Sequence, residues 1–354
     1  MKKRLLAIWL AGLPCLVHAQ SSITLFGTTG GGIRWENGVK GGSRVMFDNN
    51  IVSGSNFGLK GREDLGGGVN AIFAIAGSFT QGTGALASSG TLFSQAAYVG
   101  LSSNRFGRLT LGRQFNASED LAILLDPAGG LGGLTTEPPV LLLGNYFTLD
   151  SRFDNTIKYI GEAGGFRLAA SYSPGGVAGS TRAGTNFSIA GMYQYRGASI
   201  GATYEKTYSP DGTANAQTLL AGGSAQLGPV RMYLSNVLFR ATATARQPGG
   251  ATRRDNVQLV GFTWQAAPAI QLSGAFYYDA GRNLGNAPGA DGHKMTSWLV
   301  AEYFLSKRTE LYAEVDRNGF AGAYKKDPAN IGALNLRPGG SGVTGVSIGM
   351  ITRF

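Results

Sequence analysis

The sequence is poor in the residues that most disulfide-bonded domains, thiol enzymes and metal sites need. It has one cysteine, Cys15, and two histidines, His18 and His293, in 354 residues. Cys15 and His18 lie in the first nineteen residues, so a chain cleaved after Ala19 has no cysteine and one histidine. We therefore expect no disulfide, no thiol chemistry, no paired-histidine metal site and no cofactor.

The first nineteen residues have the pattern of a secretory signal. A basic segment at residues 2–4 precedes an apolar stretch of about 13 residues, and residues 17–19 fit a small-residue cleavage site. The apolar stretch is too short for the ~20 residues of a spanning helix. We predict a signal peptide at 1–19 and an exported mature chain at 20–354.

Long hydrophobic runs are also missing. Past the signal, no segment approaches 18 consecutive apolar residues, although 43% of the residues are hydrophobic and 56 are glycine. Since backbone polar groups in lipid need internal partners, only helices and closed barrels span a membrane. A membrane location for this chain therefore predicts a β-barrel.

The charge is basic but not of the nucleic-acid-binding kind. Removing the three basic residues of the signal from the formal net charge of +10 leaves +7. No Lys/Arg-rich run has interleaved aromatic residues, so we expect no nucleic acid as a partner. A basic lumen, or a surface that faces anionic lipid headgroups, explains the charge better.

Alternation with a period of two recurs along the chain. In 198–205, for example, Ile200, Ala202 and Tyr204 share one face of an extended chain, and Thr203 and Glu205 share the other. Barrel strands are about ten residues of such alternation between turns. We predict sixteen strands, at 22–35, 55–63, 69–80, 93–102, 107–113, 152–160, 165–173, 185–196, 198–207, 216–227, 229–241, 254–266, 269–280, 294–305, 309–318 and 342–354.

The predicted connections alternate between short turns and long loops. The long ones are polar or rich in glycine and proline, and they include 36–54 and 114–151. Short periplasmic turns and long external loops are typical of outer-membrane barrels, which have even strand numbers in bacteria. The fold class predicted is all-β, a 16-stranded antiparallel transmembrane barrel with both termini on the periplasmic side.

Several motifs in order resemble the general trimeric porins of β-proteobacteria. They lie at 21–27, 57–68, 97–102, 109–114, 154–159, 305–309 and 349–354, and the resemblance extends over essentially the whole mature chain. The resemblance implies a homotrimer of 16-stranded barrels in the Gram-negative outer membrane, surrounded by lipids and lipopolysaccharide. It also implies a third external loop folded inward, and a last strand, ending at the aromatic Phe354, that the barrel-assembly machinery reads.

The third loop, about 114–151, is the expected constriction loop. It is long and carries many apolar residues, which need a surface to pack on. Folding against the inner wall would bury them; packing on neighbouring loops or on an adjacent subunit is the alternative. Its acidic residues are candidates for the narrowest part of the pore: Glu119, Asp120 and Asp126, and farther along Glu137 and Asp150.

Basic candidates lie on the predicted strands. Alternation places Arg34, Lys60, Arg62, Arg152 and Lys158 on the inner face, together with Asp154. Arg152 also aligns with an arginine that the resembled family places in its pore eyelet. Arg113 lies at the mouth of the loop, but its parity matches outward residues, so it belongs to the rim unless a bulge turns it inward.

The chain departs from the resembled family at positions that carry charge there. It has Gly30, Asn56 and the segment 94–96, Ser-Gln-Ala, where relatives often have charged residues. Fewer charges of both signs, with a net +7, predict passive diffusion of small polar solutes and ions with weak selectivity and an anion preference. A substrate-specific channel on the same fold is the alternative.

Two more distant functions are weighed against a channel. An outer-membrane hydrolase needs a positioned base, and His293 beside Asp291 and Lys294 has no serine partner in a recognisable motif. We therefore do not expect an enzyme. A soluble β-sandwich would have polar outer faces, whereas the outward residues here are aliphatic and aromatic on nearly every strand.

Overall fold

The computed structural model describes residues 21–128, 144–242, 250–327, 331–332 and 334–354. Its strands form one antiparallel sheet, and β1 pairs with β17, which closes the sheet on itself. The strands are β1 (Ser22–Val39), β2 (Gly42–Asp48), β3 (Ser55–Asp64), β4 (Val69–Phe79), β5 (Ala96–Ser103), β6 (Gly107–Gln114), β7 (Phe153–Ala163), β8 (Phe166–Ser173), β9 (Asn186–Tyr195), β10 (Ala198–Tyr208), β11 (Asn215–Leu227), β12 (Val230–Ala241), β13 (Arg253–Ala267), β14 (Ile270–Arg282), β15 (Gly292–Phe304), β16 (Thr309–Gly322) and β17 (Gly342–Arg353).

The seventeen described strands build a sixteen-stranded barrel because β2 and β3 share one place. The first part of β1 pairs with β3, from Ser22 opposite Arg62, and its later part pairs with β2, from Gly32 opposite Asp48. The predicted barrel is confirmed. The prediction of a loop over 36–54 was wrong for most of that range, since β1 continues to Val39 and β2 follows after a short turn.

The barrel wall has two chemically different faces. Large apolar side chains point outward and are exposed, as with Ile200 (68% exposed) and Leu234 (69%). Their neighbours in sequence, such as Ser199 and Ser235, point inward and are buried. A strand that separates lipid from a polar interior requires this alternation, and exposed apolar area on this scale is unfavourable in water.

Regular helix is scarce in the described residues. A short helix, α1 (Ala117–Ala122), follows β6, and two 3-10 turns lie at Leu284–Asn286 and Ala323–Lys326. No helix in the described ranges is long and apolar enough to cross a membrane.

Candidate pore constriction

Helix α1 is held against side chains of the barrel's inner face. The Asn116 side chain caps it, because its oxygen accepts the backbone N–H of Glu119 at 2.9 Å. The amide nitrogen of Asn116 donates to the carboxylate of Glu205 on β10 at 2.5 Å. The backbone N–H of Ala117 donates to the hydroxyl of Ser188 on β9 at 3.0 Å. The helix that follows β6 is therefore bonded to side chains of β9 and β10, which lie three and four strands along the barrel wall from β6.

Apolar side chains bury the rest of this segment. Leu121 and Leu125 are 1% and 0% exposed, and they belong to one buried cluster with inward residues of the barrel such as Met192, Leu220 and Val257. Burying a leucine side chain contributes roughly 1.5–3 kcal/mol. The described start of the third connection thus uses its apolar residues to pack on the inner wall.

Asp126 ends this packed segment. Its carboxylate accepts hydrogen bonds from the hydroxyl of Tyr277 on β14 at 2.8 Å and from the backbone N–H of Ala128 at 2.7 Å. Burial raises the pKa of Asp126 to about 6, against the lowering effect of these two bonds. The Ser235 hydroxyl donates to the backbone carbonyl of Leu125 at 2.8 Å, a further bond between this segment and the wall.

Cationic side chains collect beside α1. The ammonium of Lys158 on β7 donates to the carbonyl oxygen of Phe115 at 2.8 Å and to the carboxylate of Asp120 at 2.5 Å. Lys158 also lines a cavity of about 300 Å³ with three more cations and one carboxylate. These other charged residues are Lys60, Arg108, Arg152 and Asp120.

Arg152, which lines this cavity, interacts electrostatically with the buried Glu119. The guanidinium of Arg152 stacks over the ring of Phe115, 4.0 Å from its centroid. Glu119 is 4% exposed, and one of its carboxylate oxygens has no hydrogen-bond partner. Burial raises the pKa of Glu119 well above its ordinary value, and the neighbouring charge of Arg152 opposes that shift.

Comparisons with known proteins give the barrel a family. The model of the Gram-negative porin family matches residues 6–323. The chain belongs to this family.

Individual relatives agree with that assignment. This porin is 28% identical to outer membrane porin protein 32 of Delftia acidovorans over the full length of both chains. It is 34% identical to an outer membrane porin protein of Bordetella pertussis, a match that spans 49% of this chain and 48% of the relative. Among solved structures, an anion-selective porin from Comamonas acidovorans has the same fold, with a TM-score of 0.75, 22% identity, and coverage of 95% of this chain and all of that one.

The fold and the relatives place the porin in the outer membrane. It is a channel through which small hydrophilic solutes cross passively, as the predicted function had it. The prediction of a β-proteobacterial porin relationship is likewise confirmed.

Arg34 lies on the inner wall of the porin but is enclosed by carboxylates. Its guanidinium bonds to Glu36 at 2.7 Å, Glu314 at 3.1 Å and Asp316 at 2.6 Å. It is 7% exposed. The structure therefore separates Arg34 from the cation cluster near α1, and its three partners make this patch of wall acidic.

Lys60 and Arg62 share one face of β3 but have different surroundings. The ammonium of Lys60 lies over the ring of Phe26, 5.4 Å from its centroid, and lines the cavity beside α1. Arg62 donates to the side chain of Asn70 at 2.8 Å and is exposed, two residues nearer the short-turn end.

Arg113 and Asp154 lie on the outer face of the barrel wall. Arg113 bonds to Asp154 at 2.7 Å and to Asp150 at 2.5 Å. The prediction that Asp154 points inward was wrong: its side chain is 69% exposed. Asn155 has a positive φ of 55° and the pairing of β6 with β7 shifts register here, so a bulge reverses the alternation. Arg113, at the start of the third connection, thus forms ion pairs with two carboxylates at its end.

A second inward segment was missed by sequence analysis. At the interruption between β2 and β3, Asp48 accepts the hydroxyl of Tyr312 on β16 at 2.7 Å. The side chain of Asn50 lies so close to Gly30 that a Cβ there would come within 3.0 Å of its nitrogen. The departure from the family noted at Gly30 therefore makes room for Asn50.

Part of the predicted loop lies outside the described residues. This applies to 129–143, which includes the acidic candidate Glu137. The end of the loop is described again from residue 144, where Tyr146 packs on Phe239 of β12 with ring centroids 5.1 Å apart.

Proposed function

We propose that the third connection narrows the pore and that the narrow part favours anions. The single observation that carries this is the cavity beside α1, where Lys60, Arg108, Arg152 and Lys158 face one carboxylate, Asp120. Charges that line a narrow aqueous gap set the ions that enter it. The net charge of +7 on the chain without its signal points the same way.

The remaining predicted site residues have different structural roles in this proposal. Glu119 and Asp126 anchor the segment that narrows the pore, and Arg34 keeps one patch of the wall paired and rigid. Arg62 lies in the wider lumen, and Arg113 holds the loop ends together from outside. A solved relative bears the description anion-selective, which supports the sign of the preference without specifying its strength.

Ion selectivity of the reconstituted porin tests this proposal. In a salt gradient across a planar bilayer, we expect a reversal potential that shows chloride to be more permeant than potassium. A strong preference for potassium would contradict the proposed role of the cation cluster. Saturation by one solute, with poor passage of others, would favour the alternative of a substrate-specific channel.

We further propose that the porin is a homotrimer with one pore in each subunit. A trimer form has been solved for OmpT of Vibrio cholerae, which has the same fold at a TM-score of 0.65, 14% identity and coverage of 94% of this chain and 99% of that one. Single-channel recordings should close in three equal steps. Single-step closure of every channel would contradict the trimer.

The other proposals concern export and surroundings. Residues 1–19 act as a cleaved signal, Phe354 is part of the segment recognised by the barrel-assembly machinery, and lipopolysaccharide surrounds the outer half of the barrel. We infer no catalytic role. His293 stacks on Tyr278 with ring centroids 5.7 Å apart, which is a packing contact rather than the geometry of a general base.

A further inference from the structure

Four cationic side chains form a line across the outer face of the barrel. We call Lys206, Arg240, Arg254 and Arg282 the basic row. Arg240 lies opposite Arg254, and Arg254 lies opposite Arg282. Lys206 reaches the same line through Gln217, which pairs with both Lys206 and Arg240. The row crosses β10 to β14, which is about 19 Å at the usual strand spacing.

The basic row points away from the lumen. Arg240, Arg254 and Arg282 are exposed, while the residues before Arg240 and Arg254, Phe239 and Arg253, are buried on the inner face. No member of the row has a carboxylate within ion-pair distance in the described part of the chain. The guanidinium of Arg240 instead donates to the side chain of Gln217 at 3.1 Å.

Three arginines directly opposite one another are unfavourable without a counter-charge. Like charges at directly opposed positions of neighbouring strands destabilise a sheet. The pairing from Arg240 to Arg282 contains two such contacts in succession. An anion bridging these guanidinium groups would remove the repulsion and satisfy their N–H donors in pairs.

An apolar surface begins directly below the row. The next outward positions on β11 and β12 are Leu219 and Leu238, which pair with each other. Farther down lies an apolar depression of about 1270 Å³, which includes the small outward residues Ala221 and Gly223. Cations above aliphatic side chains, with a groove below, match a lipid with an anionic headgroup and long acyl chains.

The row lies at the long-loop end of its strands, where an outer-membrane barrel meets the outer leaflet. Outward arginines cost little at that depth, whereas they are strongly destabilising at the bilayer midplane. We propose that the basic row binds a phosphorylated glycolipid, the lipid A part of lipopolysaccharide, with phosphates between the guanidinium groups and an acyl chain over the apolar depression. This rests on the proposed contact with lipopolysaccharide and assigns it a site.

Binding of purified lipid A to the refolded, lipid-free porin in detergent micelles tests the site. The test variant is R240Q/R254Q/R282Q. The matched control is R105Q/R196Q/R308Q, which removes three exposed arginines from short turns at the opposite rim. We expect the test variant to bind lipid A about 100-fold more weakly, or ~2.8 kcal/mol at 1.4 kcal/mol for each tenfold change. The control should stay within about threefold of the parent.

Two further measurements separate phosphate binding by the basic row from a folding defect and from a general attraction to anionic lipids. R240K/R254K/R282K keeps the charge and should retain most of the affinity, and its folding serves as a check on the glutamine variant. Monophosphoryl lipid A should bind more weakly than the bisphosphorylated form. Equal loss in test and control variants, or equal competition by phosphatidylglycerol, would overturn the proposal.

Channel conductance distinguishes failure of the proposed lipid A site from failure of the proposed pore function. The basic row lies outside the lumen, so the test variant should conduct ions like the parent. Weak lipid A binding with normal conductance is the expected pattern. Unchanged lipid A binding in a variant that conducts normally would refute the site and leave the channel intact.

Discussion

Replacing Arg152 with glutamine tests the electrostatics of the proposed constriction most directly. Its guanidinium lies 4.0 Å from the Phe115 ring centroid, lines the cavity beside α1 and has no ion-pair partner within 4.0 Å in the described ranges. Glutamine keeps much of the side-chain volume and removes one positive charge. We therefore expect a change in selectivity with little change in pore size.

The size of the effect follows from Coulomb's law. An anion ~7 Å from the guanidinium gains about 0.6 kcal/mol in water, and a cation loses as much. Screening reduces this to about 0.5 kcal/mol in 10 mM salt and about 0.25 kcal/mol in 0.15 M salt. Because both ions respond, R152Q should lower the anion-to-cation permeability ratio about fivefold in dilute salt and about twofold in 0.15 M salt.

Reversal potentials in KCl gradients at these two concentrations provide the measurement. The control is R105Q, which removes an arginine from an exposed short turn, where Arg105 lies over Phe106. Its reversal potential should match that of the parent. An unchanged ratio in R152Q, or an equal change in R105Q, would show that the cavity charges do not govern ion entry.

Three other predictions concern anchoring, pH and assembly. N116A removes a helix cap worth about 1 kcal/mol and leaves the buried Glu205 carboxylate without its amide partner, so we expect noisier single-channel currents; N236A, an outward position, serves as a control, and a quiet N116A channel would refute the anchor. The pKa of Asp126 is raised to about 6, so the contribution of its neutral form to the stability of the docked segment is present below its ordinary pKa and is lost as pH rises through 6. Because protonation removes one negative charge, the anion preference of the channel should increase between pH 8 and pH 5, and D126N should lose that part of the pH response. F354A should slow folding into the outer membrane, measured as the heat-modifiable fraction over time, and a parent-like rate would remove Phe354 from the recognised segment.

Much of the barrel could be predicted from alternation alone. Ile200 and Tyr204 indicated an outward face and Glu205 an inward one, because a strand between lipid and a polar interior has few other arrangements. The same reasoning failed at Asp154, since the bulge reverses the two strand residues before it, so that Phe153 is buried and Asp154 points outward. The positive φ of Asn155 marks the bulge, but asparagine is too common elsewhere to reveal it in a sequence.

The site was less predictable than the wall. Apolar residues such as Leu121 and Leu125 indicated that the third connection packs on something, and the buried cluster shows what the described part packs on. Its bonding to Glu205 and Ser188 depends on strands about 70 to 90 residues away, a separation that no local pattern encodes. Arg108 was not among the predicted residues, although it alternates with the outward Leu109 and therefore faces the lumen, where it lines the cavity.

The interruption between β2 and β3 has a consequence for how the family can change in length. Three residues of β1 separate Thr28 from Gly32, whereas seven separate Asp48 from Asn56 on the facing side, an excess of four. Phe47 before the interruption and Phe57 after it both point outward, because each strand takes its own register from β1. Insertions and deletions in the irregular residues between the two strands can therefore change the length of the chain without changing which side chains face lipid and which face the lumen.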